Sequence, residues 1–503
     1  MNARPNVLLI ECDQLAVTAV GTCGGAVPTP NLDRLAACGT SFTEAICTSP
    51  SCSPSRASIV TGLHPHRHGI TYNLMKDDYL LPGRPETEEG LRAGEWMTEN
   101  VLHRAGWTTL HHGKWHLLGE VPEAYAEAGM YLEHHAYAEE MAATFAEVRE
   151  RDPSTWMDWY GWALPVEQTP AFEAAVRGVG DAWAGNEYAG FVTGIGRLDL
   201  PPGDLFDLRV ADRCVASIEE SGRSGEPFML TCSLNLPHDP NVVPSPWYER
   251  FDPETLSLPA NFDAIEDRFR SSWSHEVVER LGEAGLREFL RVYHASVSFV
   301  DDQVGRLLDA LDASGLRERT VVVFTADHGD LCGAHRMVWK SNESFYEEVV
   351  RVPLIVSVPG AAEPRACGVA CSLVDLAPTL LELCGQPLPD HLDGRSLARF
   401  LGPDAEDDPA DPGVAFCSRL RAHPSHTRAA PDLGGSFMAR TPRWKYALHT
   451  DGEPEAFLYD LKSDPGETRN LHDDPAAAGD RDRMRAALLG WLEAEGLRES
   501  APG

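Results

Sequence analysis

The segment Cys52-Ser53-Pro54-Ser55-Arg56-Ala57-Ser58-Ile59-Val60-Thr61-Gly62 sets one thiol among serines, with a proline, an arginine and a short apolar run after it. A cysteine in such a setting is a spare polar-loop thiol, a nucleophile, a metal ligand, or the raw material for another group. Pro54 suits the first turn of a helix, where its missing N–H costs nothing. Residues 57–60 continue that helix and Thr61-Gly62 end it. Cys52 is then expected at or just before the helix N-terminus, where the dipole favours an anion or a thiolate. Arg56 lies one turn further on and can reach back toward it. Four more places join titratable residues to the end of an apolar run. Residues 7–10 lead into Glu11-Cys12-Asp13-Gln14, and 107–110 into His111-His112-Gly113-Lys114-Trp115-His116. Residues 228–234 lead into Asn235-Leu236-Pro237-His238, and 320–324 into Thr325-Ala326-Asp327-His328-Gly329.

Continuous apolar and β-branched runs of this length read as buried parallel strands. Helical patterns lie between them, one beginning near Asn31 as an N-cap and another covering residues 304–311. Alternating strands and helices imply an α/β fold, a large mostly parallel sheet sandwiched by helices. Ligands of such folds sit at the carboxyl ends of the strands. Taken singly, Lys114 is a surface lysine, His238 a turn residue, Asp327 a helix cap and His328 a packed imidazole. Four strand ends that all carry ligands or acid–base groups read better as one site.

Composition narrows the partners. The chain has 503 residues and a formal net charge of -34, which argues against nucleic acid or an anionic membrane as a partner. It does not argue against a small anion held by a local cluster of Lys, Arg and metal. No apolar stretch approaches the ~18 residues of a membrane span, and no signal-peptide pattern is visible, so a cytoplasmic location is expected. The 12 cysteines include no CxxC pair and are expected to be reduced. Self-association into a homo-oligomer stays open.

The pattern Cys52-x-Pro54-x-Arg56 followed by Thr61-Gly62, together with Gly113-Lys114-Trp115-His116, resembles the two signatures of the sulfatase family within the alkaline phosphatase superfamily. The likeness continues through Arg4-Pro5-Asn6-Val7, Thr29-Pro30-Asn31-Leu32-Asp33, Pro237-His238, Asp327-His328-Gly329, Lys340, Arg351-Val352-Pro353 and Leu458-Tyr459-Asp460-Leu461. It is weakest between about residues 125 and 220. The resemblance implies that Cys52 is converted to formylglycine (3-oxoalanine) by a formylglycine-generating enzyme. One hydroxyl of the hydrated aldehyde would attack sulfur and the other, once deprotonated, would expel sulfate; a serine or thiol would stay trapped as an adduct. The serines and Pro54 are then expected to hold an exposed loop that the modifying enzyme reads. The resemblance further implies Asp13, Cys52, Asp327 and His328 as ligands of a divalent cation, calcium before magnesium or manganese. It implies Arg56 and Lys114 holding the diol and the anion, and His116 orienting the diol and acting as base. His238 and Lys340 would bind the sulfate and protonate the leaving alcohol. The substrate implied is a small-molecule sulfate ester.

Two features depart from the common sulfatase pattern. Gln14 follows Asp13 where many sulfatases have a second aspartate, and the late pair is Asp327-His328. Both are similar to the choline sulfatase and phosphonate monoester hydrolase branch, which keeps a phosphonate monoester or phosphodiester substrate as the alternative. Gln14 and Asn73 become candidate substrate contacts, although a loop amide such as Asn73 also serves a local turn. A non-catalytic binding protein on the same fold would be expected to have lost some of these groups, and none is missing. Trp156, Trp159, Tyr160, Trp162, Trp183 and Tyr188 mark either a specificity segment that stacks on substrate or an aromatic core. The domains are read as 1–385, catalytic α/β, and 386–503, a smaller C-terminal antiparallel sheet plus helix. The acidic, Pro- and Gly-rich run 402–413 is expected as a solvated loop.

Overall fold

The first apolar run forms strand β1, Asn6–Asp13, buried along its whole length. The structure is a computed structural model that describes residues 4–497 apart from 75–89, 92–95, 118–121, 127–136, 138, 152–155, 158–162, 171, 176–193, 341–343, 362, 407–412, 421–434 and 451–453. The remaining strands of the main sheet are β2 (Thr40–Phe42), β3 (Thr108–Gly113), β4 (Phe228–Pro237), β5 (Thr320–Ala326), β6 (Leu354–Ser357) and β7 (Arg365–Cys367). Their order is β7-β2-β6-β5-β1-β4-β3. The strands β5, β1, β4 and β3 run parallel to one another, and β6 alone runs against its two neighbours. The four expected strands are therefore the four adjacent parallel ones, and they run longer than their apolar cores. Glu11, Cys12 and Asp13 belong to β1, His111 to Gly113 to β3, and Asn235 to Pro237 to β4. The backbone ladder continues until a register shift between Cys12 and Asp13 loosens β1 from β4.

Helices flank the sheet: α1 (Pro30–Ala36), α2 (Cys52–Thr61), α3 (Thr98–Arg104), α4 (Phe206–Ser224), α5 (Trp273–Ala313, interrupted at Gly282) and α6 (Leu376–Leu383). Asn31 is not the N-cap of α1. Thr29 holds that position, Pro30 opens the helix, and the free N–H groups are satisfied from α5: Asp301 accepts from the Asn31 and Leu32 amides at 3.1 and 2.9 Å. A tertiary carboxylate thus replaces the local cap.

A second, antiparallel sheet follows: β8 (Ala415–Leu420), β9 (Gly435–Arg440), β10 (Trp444–His449) and β11 (Glu455–Asp460), in that order. Helix α7 (Ala478–Ala494) packs on it through Met484, Leu488 and Leu492 against Phe437, Tyr446 and Leu458. A buried ion cluster links this sheet to the main body. The Glu347 carboxylate meets Arg440 at 2.8 Å and Lys445 at 2.7 Å, and Lys445 also meets Glu467 at 2.8 Å. Among the described residues no helix is long and apolar enough to cross a membrane. Of the aromatic segment, Trp159, Tyr160, Trp162, Trp183 and Tyr188 lie outside the described residues, as do 407–412 of the acidic run.

Candidate active site

Because β1 and β5 are parallel neighbours, their carboxyl ends bring Asp13 and Asp327-His328 side by side. The Asp327 amide donates to the Cys12 carbonyl at 3.1 Å, which closes this edge. Helix α2 points its first residue, Cys52, at the same spot. One ligand atom each from Asp13, Cys52, Asp327 and His328 lies within 4.8 Å of all the others, and all four residues are buried. His328 Nδ1 donates to the Gly329 carbonyl at 2.9 Å, so Nε2 is the nitrogen free to ligate, 3.2 Å from Cys52 Sγ. Burial opposes the imidazolium of His328, yet Asp327 and Cys52 beside it push its pKa up to about 9. Two carboxylates, an imidazole and residue 52, all drawing positive charge toward one point, fit a divalent cation with a taste for oxygen.

Cationic groups ring this cluster. Lys114 Nζ lies 2.9 Å from Asp13 Oδ2; burial penalises its charge, but Asp13 and Cys52 keep its pKa raised. The turn that delivers it needs Gly113, whose φ is 106° and where a Cβ would stand 1.9 Å from the Ser233 carbonyl oxygen. Lys340 Nζ lies 3.3 Å from Cys52 Sγ, 3.1 Å from His238 Nε2 and 3.0 Å from Gln14 Oε1. His238 Nε2 is 3.8 Å from Asp13 Oδ1, and its Nδ1 donates to the Asp239 carbonyl at 2.6 Å. His116, at φ 57°, donates from Nε2 to the Leu74 carbonyl at 3.0 Å, which leaves Nδ1 as the basic nitrogen toward residue 52. Burial lowers its pKa against the opposing pull of Cys52 and Asp13.

The two candidate substrate amides also serve the framework. Asn73 Oδ1 accepts the Ser53 N–H of α2 at 3.2 Å, and its Nδ2 reaches 3.9 Å from Cys52 Sγ. Gln14 is fully buried and divides its side chain between Lys340 and Asp330.

The Arg56 guanidinium is taken up by carboxylates and framework groups beside the cluster. Its guanidinium meets Asp327 at 2.8 Å, Glu11 at 3.0 Å, Asp13 at 3.1 Å, Ser233 Oγ at 2.8 Å and the Lys114 carbonyl at 3.0 Å. The expectation of an exposed loop at Cys52 is corrected. Cys52 has no solvent exposure, and residues 51–58 are all buried. The serines are framework donors: Ser53 Oγ to the His116 carbonyl at 2.7 Å and Ser55 Oγ to the Asp327 carbonyl at 2.6 Å. Their spacing in the first turn of α2 was the available signal, since short hydroxyls there satisfy neighbouring backbone.

Several participants escaped the sequence reading. Glu11 is buried two residues before Asp13; burial raises its pKa to about 7 against the pull of Arg56. Asp207, from α4, accepts the Asn235 amide at the end of β4 and so steadies the approach to His238. Tyr293, from α5, donates to the Gln14 carbonyl at 2.6 Å and accepts from the Ala16 amide at 2.8 Å. Nothing local to these residues marks them; only the fold brings them to the strand ends.

The chain is similar to known proteins along nearly its whole length. Residues 5–386 match the sulfatase family, and residues 333–491 match a family described as N-sulphoglucosamine sulphohydrolase, C-terminal. The uncharacterized sulfatase YidJ of Escherichia coli is 28% identical over 97% of this chain and 87% of its own length. The choline-sulfatase of Rhizobium meliloti is 27% identical over 96% of this chain and 85% of its own. A phosphonate monoester hydrolase from Silicibacter pomeroyi shares the fold with a TM-score of 0.73 at 22% identity, covering 99% of this chain and 96% of that one. With the family match running through most of the chain, the protein belongs to the sulfatase family, sulfuric ester hydrolases of the alkaline phosphatase superfamily.

Proposed function

We propose that the protein hydrolyses a small-molecule sulfate ester, with residue 52 carried as hydrated formylglycine and a divalent cation held by Asp13, Asp327, His328 and residue 52. The observation that carries this reading is the convergence of those four ligand atoms within 4.8 Å, ringed by Lys114, Lys340, His116 and His238. The Cys52 sulfur stands in for a diol oxygen of the proposed hydrated aldehyde. The cation, when bound, lowers the pKa of that hydroxyl and screens the ester oxygens. The hydrated aldehyde supplies one hydroxyl to attack sulfur and a second whose deprotonation expels sulfate.

The chain's own groups do the rest. Lys114 neutralises Asp13 and, with Lys340, presents positive charge to the incoming anion. His116 Nδ1 takes the proton of the second hydroxyl, since its Nε2–H is held by the Leu74 carbonyl. Lys340, with His238 at its side, donates the proton that the leaving alcohol needs. Arg56 keeps Asp13 and Asp327 ionised and aimed.

A phosphonate monoester or phosphodiester is the second reading. It is favoured by Gln14, a neutral amide turned to Lys340 and Asp330, beside Asp13. The test is a panel of aryl sulfates, aryl phosphonates and phosphodiesters, with the state of residue 52 measured by peptide mass spectrometry and metal content on the same batch. Sulfate turnover that tracks the aldehyde fraction and vanishes in Cys52→Ala supports the proposal. Full activity with an unmodified thiol would sink it, and phosphonate turnover without sulfate turnover would replace it.

A further inference from the structure

We propose that Asp330 is a positioning residue for this reaction: it fixes which end of the Gln14 amide faces Lys340, and thereby holds the Lys340 ammonium against residue 52. The inference rests on the assignment of Lys340 as donor to the leaving oxygen.

An ammonium has three N–H donors and no acceptor. Lys340 Nζ has three partners in reach, Gln14 Oε1 at 3.0 Å, His238 Nε2 at 3.1 Å and Cys52 Sγ at 3.3 Å. Each can accept one hydrogen, so the Gln14 amide must present its oxygen. Turned the other way, its NH2 would meet the ammonium donor to donor. The far end of the amide decides the matter. Gln14 Nε2 donates to Asp330 Oδ2 at 2.8 Å, while Asp330 Oδ1 accepts the Cys332 amide at 2.8 Å. A carboxylate accepts only, so it selects the NH2 end and turns the oxygen to Lys340.

The rest of Gln14 is already immobile. Its φ is 61°, outside the usual region for a side-chain-bearing residue. Its amide donates to Asp327 Oδ1 at 3.1 Å, and its carbonyl accepts from Tyr293 at 2.6 Å. Only the side-chain torsions are left to set, and Asp330 sets them. Lys340 gains the most from this, because a long flexible lysine stem has many rotamers and its head needs fixed acceptors to stay in one place. Asp330 is fully buried, stands outside the four-residue ligand group, and touches the reacting atoms only through Gln14.

The test is Asp330→Asn in the full-length, metal-loaded protein, at an aldehyde content matched to wild type. An asparagine accepts either end of the Gln14 amide, so the selection is lost while the shape is kept. Turnover is measured on aryl sulfates whose leaving groups run from 4-nitrophenol to phenol. The expected loss in kcat is about 10-fold for phenyl sulfate and within about 2-fold for nitrophenyl sulfate, because a poor leaving group depends on proton donation and a good one does not. In a Lys340→Ala background the same substitution is expected to change kcat by less than about 2-fold, since coupled residues are non-additive. Gln14→Met should reproduce the leaving-group signature, and it carries the test if Asp330→Asn does not fold. An equal loss across the series, or a full loss that persists without Lys340, overturns the inference. If wild type prefers phosphonates, the same series is run as aryl phosphonates. An active wild type with a flat variant series overturns this inference alone; a wild type inactive on both series overturns the ester-hydrolase reading and this inference with it.

Discussion

Arg56 Nε and Asp327 Oδ2 meet at 2.8 Å with both side chains almost wholly out of solvent, 3% and 0% exposed. The same guanidinium reaches Glu11 and Asp13, so one cation is shared by three buried carboxylates. A buried charge that loses its partner is costly, whereas an intact pair is near neutral in its net effect. Arg56 is therefore an organiser of Glu11, Asp13 and Asp327.

Substituting Arg56 by Met should destabilise the fold by roughly 3–5 kcal/mol, because it leaves three carboxylates with insufficient compensation. Arg56→Lys keeps the charge but lacks the fork that serves several partners at once. It should recover part of the stability and still hold less metal. Denaturant unfolding and metal analysis of the two variants check this; a Met variant as stable as wild type would contradict it.

If Cys52 is converted as proposed, its complete burial would confine a modifying enzyme to an unfolded or nascent chain. A synthetic peptide covering residues 48–64 should be converted by a formylglycine-generating enzyme, while folded, unmodified protein should not be until it is denatured. Peptide mass spectrometry before and after incubation distinguishes the two. Rapid conversion of the folded protein would show that α2 opens readily.

If the proposed cation binds at the Asp13 cluster, chelation should lower the thermal midpoint of wild type, since a ligand that binds only the folded state stabilises it by mass action. In Asp13→Asn the same chelator treatment should shift the midpoint far less. Equal shifts in both proteins would place the stabilising ion elsewhere.

Glu99 is buried on α3 beside Tyr125, and burial pushes its pKa up to about 7 from an ordinary 4.5. The folded state thus holds a proton that the unfolded chain releases near pH 4.5. Glu99 costs no stability below that pH, and stability falls as the pH rises toward 7, by up to about 3 kcal/mol. Glu99→Gln removes this fall. The midpoint of the variant relative to wild type should rise between pH 5 and pH 8, as read by thermal unfolding at several pH values. A pH-independent difference would mean that Glu99 is ionised in the fold.

At the junction of the two sheets, Lys445 neutralises both Glu347 and Glu467. Lys445→Met should cost about 3–5 kcal/mol, and adding Glu467→Gln should cost less than the sum of the single changes. A double-mutant cycle by denaturant unfolding measures the coupling; strict additivity would deny it.

Residue order alone carried the motif cysteine and the four strand ends, while Asp13, Cys52, Asp327 and His328 were named together only through the resemblance to sulfatases; the fold brings those four within 4.8 Å of one another. The strand ends were legible because a buried parallel strand must end in a turn, and polar residues at four such ends have few other uses. The strand cores were equally legible from their unbroken apolar runs, and the C-terminal antiparallel sheet with its helix was expected within 386–503. Tertiary structure decided what surrounds the ligands. Glu11 reads as an accident at the end of an apolar run until Arg56 is folded against it. Asp330 and Tyr293 matter only because β1, β5 and α5 bring residues some 300 positions apart into contact. Asn31 yields its capping role to Asp301 for the same reason. Local sequence encodes which groups a segment carries and which period it follows; which carboxylate meets which cation, and which loop loses its solvent, depends on packing between segments and is written in no one of them.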